Sequence, residues 1–386
     1  MKVKLGIDHF KENSDAILKK RTFVLITGSS NVDSDHIPVY RAVKKLADKY
    51  LKAIWSLQHG FFIDKQDNMI LSDSFYWKDL DIEIKSLYGK NLLPDVKWLE
   101  GVDALVIGLL DVGTRVYTFV NHIVKIMKFL SGKNIHVIVL DRPNPLNGLG
   151  IEGNVLEEEY FSIIGQLPVP MRHALTTGEY LSYALSYYNI DLQLEVVTVK
   201  GWKREKSFKG IWTYPSPNMP SFQTAVVYPG GVLLEGTNLS EGRGTTRPFE
   251  FVGAPFIDNF KLVKELEQLN LKGVIFIPVF FKPEFSKFAN KICKGILVNP
   301  KNIDEFNSFE VYYEIIRLVK DNYPEQFKWK EPPYEFEYKR LPIDMICGSP
   351  LIRESIERNL PFCEIEPRIE IEIQKYIETI DNFLLY

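Results

Sequence analysis

Residues 102–145 read VDALVIGLLDVGTRVYTFVNHIVKIMKFLSGKNIHVIVLDRPNP. Val102 to Leu110 is a compact apolar run, and Ile135 to Leu140 is another. Between them, Thr118 to Leu130 carries the apolar spacing of a helix. Two short apolar runs bounded by turns and joined by such a helix spell a strand–helix–strand unit, with parallel strands buried on both faces. The alternation continues outward. Upstream, Thr22 to Thr27 reads as a strand ending in Gly28-Ser29-Ser30, His36 to Tyr50 as a helix, and Leu51 to Leu57 as a strand. Downstream, Thr177 to Tyr188 reads as a helix and Leu192 to Val199 as a strand. The pattern predicts an α/β protein with a Rossmann-like, doubly wound parallel sheet.

After Gly201 the texture changes. Pro and Gly become frequent through Tyr214-Pro215-Ser216-Pro217-Asn218 and Tyr228-Pro229-Gly230-Gly231. We therefore expect an N-terminal domain over residues 1–202 and a smaller α+β domain over 203–386 that closes an interdomain cleft. The second half is expected to hold a strand at Val274 to Phe281 and helices near Asp258 to Leu269, Asp304 to Asn322 and Pro350 to Asn359. The tail from Ile369 to Leu385 places Ile373, Ile377 and Ile380 at helical spacing and should pack back on the body.

Composition narrows the function classes. The chain has 386 residues and a net charge of −3. Lys and Arg form no basic stripe, which argues against nucleic acid as a partner. The longest apolar runs, such as Gly273 to Phe281, are too short to span a bilayer. Met1-Lys2-Val3-Lys4 is followed by no long apolar stretch, so no signal peptide is expected. The three cysteines, Cys293, Cys347 and Cys363, are odd in number and widely spaced, which fits neither a disulfide framework nor a zinc motif. Free thiols point to a reducing, cytoplasmic setting. Oligomeric state leaves no signature.

Open α/β sheets bind ligands outside the carboxyl ends of their strands. The predicted strands end in Gln58-His59-Gly60, in Asp111-Val112-Gly113-Thr114-Arg115 and in Asp141-Arg142-Pro143-Asn144-Pro145. A single Asp at a strand end commonly caps a helix or forms a turn. Three consecutive strands that deliver acids, arginines and a histidine to one rim are harder to explain that way. Arg115 and Arg142 suit bidentate carboxylate recognition, or else structural ion pairs. His59 and His173, the latter beside Arg172, are candidates for proton transfer or for buried structural roles. Lys65-Gln66-Asp67-Asn68 follows the His59 turn as a polar loop over the rim. From the second half comes Glu235-Gly236-Thr237-Asn238-Leu239-Ser240-Glu241-Gly242-Arg243-Gly244. It lacks the lysine ending of a P-loop, and Gly28 alone does not make a dinucleotide fingerprint, so no nicotinamide cofactor is expected. No paired His/Cys spacing suggests a metal. Glu235, Asn238 and Arg243 offer the acid and the donors that a sugar requires. Val232-Leu233-Leu234 before Glu235 reads as a strand delivering that acid to a turn.

These segments resemble a known family. Asp111 to Thr118, Leu140 to Pro145, Glu152-Gly153, Pro215 to Met219, Leu234 to Ser240, Gly242 to Thr245 and Pro248-Phe249-Glu250 look like the NamZ-type exo-β-N-acetylmuramidases. The likeness runs from near Gly6 to Leu384-Leu385-Tyr386. It implies a Rossmann-like domain, a smaller C-terminal domain, a cleft between them, and release of N-acetylmuramic acid from non-reducing ends of peptidoglycan fragments. Many members carry a Pro-Glu-His-Gly turn whose Glu is a favoured catalytic acid. This chain reads Leu57-Gln58-His59-Gly60, and an amide cannot donate a proton as a carboxylic acid does. The family's Arg-His-Gly turn is also changed, to Arg172-His173-Ala174. Many members carry export signals.

The leading expectation is a glycoside hydrolase acting on a small sugar or muropeptide without a cofactor. Glycosidases place two carboxyls across the scissile bond. Glu235, Asp111 and Asp141 are the candidates, Glu235 foremost as the acid, with His59 and Gln58 beside them. Arg115, Arg142, Arg172 and Arg243 would hold the lactyl or another carboxylate, Asn144, Asn218 and Asn238 would read hydroxyl and acetamido groups, and His173 would also bind substrate. Tyr117, Glu152 and Thr237, which lie in the resembling motifs, join the substrate-binding set. The alternative is a non-catalytic sugar- or muropeptide-binding protein. A third reading, suggested only by the sheet, is a phosphosugar- or nucleotide-binding enzyme.

Overall fold

The computed structural model describes residues 3–67, 69–89, 92–207 and 212–386. Asn68 of the polar loop, and Met1 and Lys2, lie outside the described residues.

The N-terminal half is built on a seven-stranded sheet. Its strands are β1 (Phe23–Ile26), β2 (Leu51–Ser56), β3 (Phe75–Trp77), β4 (Ile82–Ser86), β5 (Ala104–Ile107), β6 (His136–Leu140) and, after a separate antiparallel pair of β7 (Glu152–Val155) with β8 (Pro170–Arg172), β9 (Gln193–Val197). The order across the large sheet is β3-β4-β2-β1-β5-β6-β9. All pairings are parallel except that of β3 with β4 at the edge. Every residue of β1 and β5 is buried, as two-sided cover requires. The cover comes from α1 (Gly6–Leu18) and α2 (Val39–Ala47) on one face, and from α3 (Thr118–Leu130) and α4 (Thr177–Tyr187) on the other. This is the doubly wound sheet that the alternation predicts.

The expected strands and helices of this half appear with ends trimmed by a few residues. Two features are additional. α1 precedes the first expected strand. It begins at Gly6, where a Cβ would lie 2.3 Å from the Asp141 nitrogen and 2.4 Å from the Val197 oxygen, so only glycine lets the helix start against β6 and β9. The β3–β4 hairpin is the other. β4 shows the alternation of a half-buried strand, with Ile82 and Ile84 inside and Glu83 outside.

The C-terminal half holds α5 (Phe222–Gly231), β10 (Phe251–Ala254), α6 (Asn259–Gln268), β11 (Val274–Phe281), β12 (Cys293–Pro300), α7 (Ser308–Asn322), α8 (Pro342–Cys347), α9 (Leu351–Glu357) and α10 (Phe362–Ile380). The three strands form an antiparallel sheet ordered β10-β12-β11, giving a second, smaller α+β body. The Pro- and Gly-rich stretch Tyr228 to Gly231 is helical. Ser221 caps α5 by accepting from the Thr224 N–H at 3.1 Å. Gly230 lies so close to α7 that a Cβ there would be 2.0 Å from the Ser308 carbonyl oxygen. Val232 to Gly236 continues as a 3-10 turn, so Glu235 is delivered by a helix end and not by a strand.

One hydrophobic core joins the halves. From the α3–α4 face it runs through Met171 and Tyr180 to Tyr228, Leu234, Phe309 and Ile346. The tail does pack back: the Tyr386 hydroxyl donates to Asp141 at 2.6 Å, and the Leu385 N–H donates to Glu179 at 2.8 Å. No helix among the described residues is long and apolar enough to cross a membrane.

Candidate active site

Gln58 opens the turn after β2, and Thr118 opens α3. The Thr118 hydroxyl donates to Gln58 Oε1, which leaves the amide nitrogen facing away from the helix. That nitrogen donates to Glu335 Oε1 at 2.9 Å and lies 3.2 Å from the Tyr88 hydroxyl. Tyr88 in turn donates to Glu335 Oε2 at 2.9 Å. Glu335 is reached from the C-terminal half through a turn in which Glu335 and Phe336 both take positive φ. Burial pushes its carboxyl up to about 7, against the pull of the Gln58 and Tyr88 hydrogen bonds.

Glu235 faces the same space from the end of α5. Its Oε1 accepts from Arg243 at 2.6 Å and its Oε2 from the Tyr334 hydroxyl at 2.7 Å. Arg243 also contacts Asp67 at 3.2 Å and Glu241 at 3.6 Å. Burial works against the guanidinium charge, yet Glu235, Glu241 and Asp67 together hold its pKa above the ordinary value. Glu235 and Arg243 stand in the walls of two neighbouring spaces. The inner one is a narrow recess of about 40 Å³ lined by Gln58, His59, Tyr117, Asn218, Tyr228 and Glu335. The outer one, about 530 Å³, is lined by Thr237, Asn238, Glu241, Lys287 and Lys330 among others. The outer volume falls in the range of small-molecule sites.

His59 takes positive φ in its turn, and its Nδ1 lies 2.7 Å from the Lys65 carbonyl. Burial drops it to about 4, so at neutral pH the ring is uncharged, Nδ1–H donates to Lys65, and Nε2 can only accept. The cations of the outer space differ in their partners. Lys287 donates to the carbonyls of Leu234 and Leu239 at 2.7 and 2.9 Å and pairs with Glu241 at 2.9 Å. Lys330 lies 5.6 Å from the centre of the Tyr334 ring and has no carboxylate partner among the described residues.

The sequence candidates thus divide. Gln58, His59, Tyr117, Asn218, Thr237, Asn238, Glu235 and Arg243 border these two neighbouring spaces. Asn218 also donates to the Gln66 carbonyl at 2.7 Å, and Asn238 to the Gln326 carbonyl at 2.8 Å. Thr237 donates to the Leu234 carbonyl at 2.9 Å.

The remaining candidates lie elsewhere. Asp111, Arg142 and Asn144 border a separate void of about 10 Å³, room for one water at most. Burial raises Asp111 to about 7, Arg142 donates to the Val32 carbonyl at 2.5 Å, and Asn144 donates to the Leu175 carbonyl at 3.0 Å. Asp141 is fully buried and accepts from Thr176, the Gly178 N–H and Tyr386. Arg115, also fully buried, donates to the carbonyls of Asn154, Val169, Ile346 and Cys347. Arg172 pairs with Glu152 at 2.5 Å inside the protein, and burial beside Arg115 drops His173 to about 3.

Sequence reasoning missed Glu335, Tyr334, Tyr88, Lys287 and Lys330. An available signal was Tyr334-Glu335 directly after Pro332-Pro333, an acid held next to a rigid turn.

A two-body α/β scaffold with two buried carboxyls at the neck of a sugar-sized cavity has the equipment of a glycosidase. The chain belongs to the NamZ exo-β-N-acetylmuramidase family. The model for the family's N-terminal part matches residues 23–223, and that for its C-terminal part matches residues 226–386. The chain is 35% identical to the peptidoglycan β-N-acetylmuramidase NamZ of Bacillus subtilis (strain 168), over 100% of this chain and 92% of that protein. Crystal structures of two DUF1343 family proteins from Bacteroides fragilis NCTC 9343 share the fold. One has a TM-score of 0.88 at 28% identity, the other 0.74 at 24% identity, each covering 100% of this chain and 99% of its own.

Proposed function

We propose that this chain is an exo-acting glycoside hydrolase that releases N-acetylmuramic acid, or a closely related amino sugar, from the non-reducing ends of peptidoglycan fragments. The observation that carries this reading is the pair Glu235 and Glu335, two carboxyls from the C-terminal half that meet Gln58 and Thr118 of the N-terminal half around one recess. The division into residues 1–202 and 203–386 fits a substrate held between two bodies. The residue roles follow the partners each side chain has. Asp141, Arg115, Arg172 and Glu152 serve the scaffold, because each is buried and hydrogen-bonded to other groups inside the protein. Glu235 and Glu335 do the chemistry. Lys330 takes the lactyl carboxylate of muramic acid, since it is the outer-space cation without a carboxylate partner among the described residues. Cys293, Cys347 and Cys363 are all unpaired, which suits a reducing compartment such as the cytoplasm.

The test offers the protein a chromogenic N-acetylmuramic acid glycoside and, separately, its N-acetylglucosamine analogue. Release from the first and not from the second is expected. Binding of a muropeptide without release from either glycoside would replace this reading with that of a binding protein.

A further inference from the structure

Resting on the glycosidase reading, we infer that Glu335 is the proton donor of this enzyme and that Gln58 is a positioning residue that presents Glu335 to the recess. The amide of Gln58 is oriented at both ends: Thr118 donates to its oxygen, and its nitrogen donates to Glu335. Tyr88 donates to the other Glu335 oxygen, and the Met69 N–H fixes Tyr88 at 2.9 Å. The carboxyl is therefore held by two side chains from the opposite half of the molecule, at the wall of the recess shared with Glu235. A glutamate at position 58 would set a second carboxyl against Glu335, and the two would have to share a proton. The amide removes that conflict and supplies a donor instead.

The two carboxyls differ in a way that assigns their jobs. Glu235 accepts from the Arg243 guanidinium, an environment for a carboxylate. Glu335 has no cation within ion-pair distance among the described residues, and burial raises it to about 7. Glycosidases separate acid from base in this manner. In the reaction, the C1–O bond to the leaving sugar breaks as the Glu335 proton passes to the leaving oxygen, directly or through one water in the recess. A second water supplies hydroxide to C1 and gives its proton to Glu235. Exchange with solvent then returns both carboxyls to their starting states.

The decisive comparison uses two leaving groups. Glu335→Gln should lower turnover of an N-acetylmuramyl-N-acetylglucosamine disaccharide about 10²- to 10⁴-fold. It should lower turnover of the dinitrophenyl N-acetylmuramide, whose leaving group departs without a proton, less than about tenfold by the same reasoning. In wild type, kcat/KM for the disaccharide should fall as pH rises through about 7. Gln58→Leu and Tyr88→Phe each remove a donor that favours ionised Glu335, so each should move that limb to higher pH. Equal losses on both leaving groups in a folded Glu335→Gln protein would overturn the assignment. So would an unmoved limb in both Gln58→Leu and Tyr88→Phe, a result available even where Glu335→Gln fails to fold. A wild type that cleaves neither substrate would overturn the glycosidase reading itself, an outcome distinct from the other two.

Discussion

Two places on the rim of the sheet keep carboxyls away from water. At the end of β6, burial raises Asp141 to about 6; beside Gln58, burial raises Glu335 to about 7. By protonation alone the two look alike. They differ in what the oxygens face. Asp141 is enclosed, and Thr176, the Gly178 N–H and Tyr386 all donate to it, so it ties the start of α4 to the C-terminus of the chain. Glu335 also has its donors, but it borders a recess that shares Glu235 and Arg243 with a neighbouring space of about 530 Å³. A perturbed carboxyl marks reacting chemistry only where a ligand has room to meet it.

The sharpest way to break this comparison is to remove one charge from each place. Glu235→Gln should reduce turnover about 10²- to 10⁴-fold on both leaving groups, because a general base is lost whatever departs. The protein should still bind the fragment, as calorimetry would show. A turnover within a few fold of wild type would remove Glu235 from the mechanism.

Asp141→Asn should do the reverse. An amide nitrogen placed among three donors leaves at least one of them unpaired, at a cost of about 1–3 kcal/mol. Denaturant titration should register that loss, while turnover per folded molecule stays at the wild-type value. A folded Asp141→Asn protein with a hundredfold lower turnover would make the β6 cluster part of the reaction after all.

Lys330→Met tests the specificity side of the site. A hydrogen bond to a charged group is worth about 1.5–3 kcal/mol, so KM for the muramic acid substrate should rise by about tenfold or more. The inhibition constant of the glucosamine analogue should not change, because that sugar has no lactyl carboxylate. An equal effect on both sugars would assign Lys330 to packing over the Tyr334 ring.

The comparison also shows which parts of the molecule were readable from sequence. β1, β5 and β6 are continuous apolar runs, and parallel strands covered on both faces produce such runs. β3 was not readable, since Phe75, Tyr76 and Trp77 lie at the edge with much of their surface exposed, and a strand of three residues has no period to detect. In β4 the alternation of Ile82, Glu83, Ile84 and Lys85 was present to be found. α5 was not readable because Pro229, Gly230 and Gly231 are poor helix formers, and the close approach of α7 leaves no room for a side chain at Gly230. Strand ends pointed to Gln58 and His59, but equally to Asp111 and Asp141. Sequence position cannot tell an acid that caps a helix from one that faces a cavity. Glu335 was invisible for a further reason: 277 residues separate it from the Gln58 amide that holds it, and only the closed fold brings them together.

The smallest effect concerns the last residue of the chain. Tyr386→Phe removes the hydroxyl that donates to Asp141 at 2.6 Å and accepts from the Val199 N–H at 3.0 Å. The ring keeps its edge contact with Trp202, so the change is close to a pure loss of hydrogen bonds. A loss of about 1 kcal/mol is expected where Asp141 is charged. The pH dependence gives the test its force. Asp141 has a folded-state pKa of about 6 against an ordinary 3.8, so the folded protein holds that proton more tightly than the unfolded chain. Its contribution to stability is complete below about 3.8 and is lost as pH rises through about 6. Tyr386 favours the ionised form, and its removal raises the Asp141 pKa further. The difference in melting temperature between wild type and Tyr386→Phe should therefore be larger at pH 8, where Asp141 must ionise with one donor fewer, than at pH 5, where it is mostly neutral. A difference independent of pH would mean that the phenol supports Val199 alone, and that Asp141 is held ionised or neutral by Thr176 and Gly178 without help from the chain terminus.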